Sequence, residues 1–443
     1  MKAIIMAGGE GTRLRPITCT MPKPAVPICD KAVIIHIIEL LEKNGIDEIA
    51  VTLKYLPSEI KKIIGSALAQ GKVKTDIKFC IETSPLGTAG SVKNCIRECY
   101  NNSDEDYLII SGDAMTDINI RDMIDFHKEK QSMATIAVRA VEEPTEFGVV
   151  LTNDKSMITG FIEKPAFSEA VSNLANTGIY IVSSELMDLC SEEGPCDFAK
   201  DIFTKIPDLS KNLAAYSTEA FWCDIGDINS YRKVNLQYSI KHNQSYIGEN
   251  CNISNDATII NSVINHGCTI EAGSVIENSV IMANSFIGKN CKIRNSVICS
   301  GVILKDARNA EETTIGEKTT VNNCVTIKKG TKIWDNINIL PESIISGIVR
   351  SFAGSSESSV GSYSPETILR LGRAFGTFLG RNASVAVCSD GSGSSATGSR
   401  SSNSSSGNTK CFLKFMYELR QFENGKSFNF FNCRTFSLSI HAY

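Results

Sequence analysis

Short apolar runs alternate with amphipathic stretches over residues 1 to about 240. The runs Lys2–Met6, Ile49–Leu53, Ile77–Ile81, Tyr107–Ser111, Ala134–Arg139 and Thr177–Val182 have the length and apolar content of buried strands. Between them the apolar spacing becomes helical. Ile34, Ile37, Ile38 and Leu41 share one face of the first such stretch, with Asp30 placed as its N-cap and Gly45 at its end. This alternation predicts an α/β domain over residues 1–240, built on a Rossmann-like, mostly parallel sheet with helices on both faces.

A different period takes over at about 247–342. Aliphatic residues recur at Ile247, Ile253, Ile259, Ile264, Ile270, Ile276, Ile281, Ile287, Ile293, Ile298 and Leu304, in repeated steps of 6, 6 and 5. The ladder is interrupted at Lys305–Thr314 and resumes at Ile315, Val321, Ile327, Ile333 and Ile339 in steps of 6. No ordinary helix or hairpin has a period of six. A triangular solenoid does, with three short strands per coil, one inward aliphatic per side and Asn, Gly or Ser at the corners; this is the hexapeptide pattern of a left-handed parallel β-helix.

Residues 351–443 break with both patterns. Ser389–Gly407 holds 14 Ser or Gly in 19 residues, a composition expected to form a disordered linker. The following stretch, 411–443, is rich in Phe without periodicity (Phe412, Phe415, Phe422, Phe428, Phe430, Phe431, Phe436) and too short for a domain of its own.

Across the whole chain, 443 residues with 42% hydrophobic and 21% charged content describe an ordinary soluble protein of two or three domains. The net charge of -4 argues against nucleic acid as a partner. The basic excess of 351–443 is modest and diffuse, as in solvated surface. Sixteen cysteines, scattered and without a C-x-x-C pair, read as reduced. The opening apolar run is too short for a signal peptide, and no run of about 18 apolar residues predicts a membrane span. These features together predict a cytoplasmic protein.

The densest chemistry follows the first strand. Ala7-Gly8-Gly9-Glu10-Gly11-Thr12-Arg13-Leu14-Arg15-Pro16 is followed by Pro22-Lys23-Pro24. Glycines directly after a strand let backbone N–H groups approach a polyphosphate, and Arg13 and Lys23 add positive charge to the same loop. Neither a Walker A motif nor a dinucleotide fingerprint is present. Alone, such a loop is equally a tight turn.

G-G-x-G-T-R-L-x-P followed by P-K-P resembles the signature of the sugar-1-phosphate nucleotidyltransferases. Further motifs occur in that family's order: Pro85-Leu86-Gly87-Thr88-Ala89-Gly90, Ser111-Gly112-Asp113, Phe147-Gly148, Glu163-Lys164-Pro165, Asn176-Thr177-Gly178-Ile179-Tyr180 and Trp222-Cys223-Asp224-Ile225-Gly226. The resemblance implies formation of an NDP-sugar and pyrophosphate from an NTP and a sugar 1-phosphate, with Mg²⁺ held by Asp113 and Asp224. It assigns Arg13 to the leaving pyrophosphate and Lys23 to the α-phosphate. Lys164 would anchor the sugar phosphate, and Glu163, Asn176, Thr177 and Gly148 line the sugar pocket. Ala7, Gly8, Gly9, Gly11, Thr12, Glu82, Pro85, Gly87 and Thr88 form the nucleotide side. In isolation Asp113 could equally cap a turn, Asp224 be a satisfied loop carboxylate, and Glu163 or Lys164 be surface charge.

Two departures stand out. Ala32 occupies a position where the family usually has proline, which would loosen entry to a helix. Cys19 lies between Arg13 and Lys23, as a packing residue or a redox-sensitive thiol.

The run Glu82–Gly90 and the attached β-helix look most like mannose-1-phosphate guanylyltransferases, which points to GTP and GDP-mannose, since a glutamate suits the two donors of guanine. Glucose-1-phosphate uridylyl-, thymidylyl- and adenylyltransferases share nearly all these motifs. Ser364–Gly380, Val385–Val387 and Ser389-Asp390-Gly391 look like the start of a phosphohexomutase that stops at about 391, without its phosphoserine or metal loops, as a truncated or frame-shifted remnant would. No mutase activity is expected. Rival readings are a hexapeptide acyltransferase using His266, the one histidine in the ladder, or a non-catalytic nucleotide-sugar-binding subunit. A solenoid also favours a homo-oligomer through its coils.

Overall fold

The computed structural model describes residues 1–350 except 192, 193, 207 and 241–244, together with three short strands beyond: Ser358–Val360, Ser384–Val387 and Phe436–Ser439. The mutase-like segment 364–380 and the Ser/Gly-rich tail lie outside the described residues.

The first domain is a Rossmann-like mixed sheet. Its order is Ile158–Glu163, Gly148–Thr152, Leu174–Val182, Tyr107–Ser111, Lys2–Met6, Glu48–Leu53 and Asp76–Ile81. The last four strands run parallel to one another, whereas Leu174–Val182 joins Tyr107–Ser111 antiparallel. Ala134–Ala140 also pairs with Leu174–Val182 and carries Leu213–Ser217 in parallel on its other edge. Apolar cores form on both faces. One packs the Val33–Lys43 and Pro57–Ala69 helices, the other the Gly87–Tyr100 helix and the Phe198–Phe203 turn. Ile34, Ile37, Ile38 and Leu41 all point into the first core.

That first helix begins later than expected. Ala32 is its N-cap, and Asp30 makes no cap hydrogen bond. Asp30 instead has a left-handed φ of 68° and spends its carboxylate on the second domain.

The second domain stacks short strands into parallel sheets of seven, seven and four strands, with Thr326–Ile327 and Ile344–Ile345 as a further parallel pair, as expected of a β-helix. Ile264, Ile281, Ile298, Ile315 and Ile333 follow one another along one sheet. Ile270, Ile287, Leu304, Val321 and Ile339 follow along the next, and each of these aliphatics is essentially inaccessible to solvent. Asparagine supplies the left-handed corner at Asn250, Asn261, Asn278, Asn284, Asn290 and Asn295, because it tolerates positive φ better than other side chains. The expected interruption at 305–314 is partial: the coil stays in register with the one before it, but one of the sheets ends at Asn309–Glu311. Asn309–Glu311 pairs in register with Lys292–Arg294, and Ala310 takes the inward position above Ile293. An alanine keeps the period without the large side chain that marks the other inward positions.

One face of the β-helix lies on the first domain, where Val263, Val280 and Val297 join the core that includes Tyr231 and Val234. Among the described residues no helix is long and apolar enough to cross a membrane.

Candidate functional site

Two acidic side chains more than a hundred residues apart meet because of a small antiparallel ribbon. Asp113 follows the central Tyr107–Ser111 strand, where a side chain at Gly112 would lie 2.8 Å from the Met6 carbonyl, so only glycine fits the turn. The chain then forms Ala114–Thr116, which pairs antiparallel with Trp222–Asp224 and sets Asp224 opposite Ala114. The Ile225 N–H donates to the Asp113 carbonyl at 3.1 Å and fixes the approach. Lys23, at the start of a short helix directly after the glycine-rich loop, runs its buried side chain between the two carboxylates. Its Nζ donates to Asp113 Oδ2 at 2.6 Å and to Asp224 Oδ1 at 3.2 Å.

The electrostatics of this triad are strongly coupled. Burial works against the Lys23 ammonium, but the charges of Asp113 and Asp224 outweigh it and hold its pKa above the ordinary lysine value. Burial, and then the neighbouring Asp113 charge, raise the Asp224 carboxyl above the usual carboxylate range, opposed by Lys23 and Arg13. Removing the cation would leave two like charges facing each other in a poorly solvated place.

These residues line a cleft of about 390 Å³ that also contains Arg13, Thr88, Gly148, Glu163, Lys164, Asn176 and Thr177. Lys164 takes a left-handed φ of 47°, and its N–H donates to the Phe147 carbonyl at 3.1 Å. The Leu174–Val182 strand shifts register between Asn176 and Tyr180 at the cleft wall, where both Asn176 and Thr177 contribute to the lining and the buried Thr177 hydroxyl donates to the Ala137 carbonyl at 2.7 Å. The Asn176 amide donates to the Tyr180 hydroxyl at 3.0 Å, and Trp222 Nε1 donates to the Thr177 carbonyl at 2.9 Å. A side chain at Gly148 would press on the Glu163 carboxylate and the Phe161 ring, each 2.8 Å away.

The other predicted residues sit beside the cleft. Ala7 is buried, with its N–H donated to the Thr52 carbonyl at the strand end. Gly8 faces Glu82, whose carboxylate accepts from the Ser91 hydroxyl and is raised in pKa by burial. Space beside Gly9 is open. Gly11 has a φ of 62°, and Thr12 starts the turn that carries Arg13. Pro85 is exposed. Gly87, with a φ of 74°, has a second reason to be glycine: a side chain there would collide with the Cys196 backbone at 2.5 Å.

Two lining residues, Asp197 and Lys200, carried no motif. Asp197 Oδ1 accepts from the Thr88 N–H at 3.1 Å and the Thr88 hydroxyl at 3.0 Å, so it closes the start of the Gly87–Tyr100 helix. Nothing periodic marks that segment. Cys19 is half-buried, and burial, followed by the Asp335 charge, pushes its thiol up to about 11. It therefore stays protonated at neutral pH and is poorly suited to a redox role. His266 Nδ1 pairs with Asp30 Oδ1 at 2.7 Å, at the domain boundary.

The donor set fits a divalent cation. Asp113 and Asp224 offer hard oxygens already converging on one positive charge. Among the described residues no group of three His, Cys, Asp or Glu side chains forms a metal cluster. Mg²⁺ characteristically uses one or two carboxylates and completes its shell with substrate phosphates and water.

Comparison with known proteins gives the family of the chain. Residues 2–240, more than half of the chain, match the family model described as nucleotidyl transferase, and residues 228–331 match that described as the GMPPB C-terminal domain. The chain is 36% identical over 239 residues to a UTP–glucose-1-phosphate uridylyltransferase from Synechocystis, covering 52% of this chain and 61% of that protein. It is 36% identical over 228 residues to the mannose-1-phosphate guanyltransferase of Hypocrea jecorina, covering 51% and 61%. Each match thus spans about three fifths of the relative's length. Among solved structures, HddC from Yersinia pseudotuberculosis is 26% identical with a TM-score of 0.46, covering 54% of this chain and 99% of that one. On the extent of the family match, the chain belongs to the nucleotidyl transferase family, beside these sugar-1-phosphate nucleotidyltransferases.

Proposed function

We propose that the chain makes a nucleotide-sugar and pyrophosphate from an NTP and a sugar 1-phosphate, with GTP and mannose 1-phosphate as the preferred pair. One observation carries the reading: Lys23, Asp113 and Asp224 converge to within 2.6 and 3.2 Å in a cleft that also holds Arg13 and Lys164. The cleft is lined by four cations, Arg13, Lys23, Lys164 and Lys200, and by five carboxylates, among them the Asp113 and Asp224 pair; the cations suit two polyanions that must be brought together, and the pair suits a cation shared with them. An oxygen of the sugar phosphate forms a bond to the α-phosphorus, and the bond from that phosphorus to the bridging oxygen of pyrophosphate breaks. Lys164 holds the incoming phosphate, Lys23 offsets charge on the α-phosphate, and Arg13 faces the departing pyrophosphate. Glu163 and Asn176 accept and donate to sugar hydroxyls. Asp113 and Asp224 would hold Mg²⁺, which would supply Lewis-acid neutralisation of phosphate charge.

Guanine is favoured because Glu82, beside Gly8, carries a carboxylate of the kind that would accept from the two guanine donors. The uridylyl reading stands second, supported by the equal identity to the Synechocystis relative. Pyrophosphate release from each of four NTPs with mannose or glucose 1-phosphate tests the assignment. A GTP and mannose preference supports the first reading, UTP and glucose the second, and no release with any pair overturns both.

We also propose self-association through the β-helix. Phe286 and Ile303 are neighbours on the outer face of one sheet, 36% and 42% exposed, where an isolated solenoid would carry polar residues.

Gly148→Ala tests the sugar end. The added methyl pushes on Glu163 and Phe161, so KM for the sugar 1-phosphate rises by about tenfold while KM for the NTP stays constant, as steady-state kinetics would show.

A further inference from the structure

The signature loop is gripped from outside the catalytic domain. Thr20 donates its hydroxyl to Glu317 Oε2 at 2.5 Å, across 297 residues of chain. Glu317 is itself fixed: its N–H donates to Asp335 Oδ1 at 2.7 Å and its carbonyl accepts from Asn336 N–H at 2.7 Å. Asp335 in turn faces the Cys19 thiol. From the other side, Tyr55 donates its hydroxyl to the Thr18 carbonyl at 3.2 Å.

A second grip lies after Lys23. Asp30 accepts from the His266 N–H at 2.9 Å and from the Tyr246 hydroxyl at 3.3 Å. Its carboxylate fills the space that a side chain at Gly248 would take. The same filling recurs inside the solenoid, where Asp306 sits over Gly288 and Asp335 over Gly316. In those two coils the carboxylate comes from the β-helix itself. At Gly248 the catalytic domain supplies it.

The grip has a route to the reacting charges. The Thr18 hydroxyl donates to the Gly11 carbonyl at 2.7 Å, and the free side of Gly11 packs against Lys23 Cβ and Thr18 Cγ2, both 3.2 Å from where its own Cβ would be. A shift of the Cys19–Thr20 turn therefore moves Gly11 and Lys23 together.

We infer that the β-helix is part of the nucleotide site, and that Glu317 is a positioning residue which holds the 11–23 loop, and with it Arg13 and Lys23, in the geometry that receives the triphosphate, while Asp30 ties the chain that follows to the same β-helix. The inference rests on the reading of this cleft as an NTP site, but the clamp itself is a mechanical property of the loop and can be measured without turnover.

The test uses the full chain with Thr20→Val, Glu317→Ala, Glu317→Gln and the Thr20→Val/Glu317→Ala double variant. One hydrogen bond corresponds to about two- to tenfold in an equilibrium. Amide hydrogen exchange over the peptide spanning 10–22 is expected to speed up by about threefold or more in Thr20→Val and Glu317→Ala, and to stay near wild type in Glu317→Gln, which keeps the acceptor. KM for the NTP rises by about three- to tenfold in the same two variants, with KM for the sugar 1-phosphate unchanged, and the double variant matches either single one. Unchanged exchange, a fully additive double variant, or equal effects on both substrates would overturn the inference. Thr20 is exposed, so Thr20→Val carries the test even where Glu317→Ala folds poorly. If wild type forms no nucleotide-sugar, the reading of the cleft fails, whereas the exchange measurement still decides the clamp.

Discussion

Replacing Asp224 by alanine lowers kcat for nucleotide-sugar formation by about two to three orders of magnitude, with a much smaller change in either KM. The size follows from where the carboxylate sits. It is buried, its pKa is raised by that burial and by Asp113, and it faces Lys23 at 3.2 Å and the Arg13 side. The Trp222–Asp224 ribbon is held by backbone pairing, so beyond its ion pair with Lys23 the proposed reading puts the worth of this charge where phosphate charge is redistributed. Asp113→Ala is expected to cost a similar factor, and the double variant little more, because both act on one cationic centre. Single-turnover pyrophosphate release, with circular dichroism to check the fold, measures this. Retention of more than about a tenth of wild-type kcat in Asp224→Ala would remove it from the machinery.

Much of the architecture could be read from periodicity because burial there is set by neighbours close in sequence. Lys2–Met6 and Tyr107–Ser111 have the bounds that their apolar runs imply, and Ile298 or Ile333 stack where steps of five and six place them. The failures share a cause of the opposite kind. Asp30 has the residue type of an N-cap, but a partner 236 positions away claims its carboxylate. Ala310 holds its place in the solenoid through its register with Ile293 in the preceding coil, to which its small side chain adds little. Asp197 and Lys200 reach the cleft because the segment before Phe198 hydrogen-bonds to Leu86, Thr88, Ala89 and Gly90. No local pattern encodes a contact of that range. The motif residues were legible because strand ends and tight turns position them, and each turn demands its own glycine, as Gly112 and Gly148 show.

Lys23 lends itself to a second large effect, one that separates its two duties. Its ammonium occupies Asp113 Oδ2 and Asp224 Oδ1, on the two carboxylates that would hold a divalent cation. In Lys23→Met the side chain keeps its bulk and loses its charge. Two carboxylates then face each other uncompensated, and in a partly buried pair that repulsion favours either protonation or a bound cation. Two results are therefore expected together. Turnover falls by about two to three orders of magnitude because the α-phosphate loses its cation. Mn²⁺ binding without nucleotide, followed by electron paramagnetic resonance, tightens by about tenfold or more, since the metal no longer competes with an internal ammonium. A merely structural lysine predicts lost activity with unchanged or weaker metal binding, because a loosened site would hold the ion less well. Lys23→Arg separates the cases further. It keeps the charge, so Mn²⁺ affinity stays near wild type, while the wider guanidinium sits poorly between carboxylates spaced for an ammonium and turnover still falls.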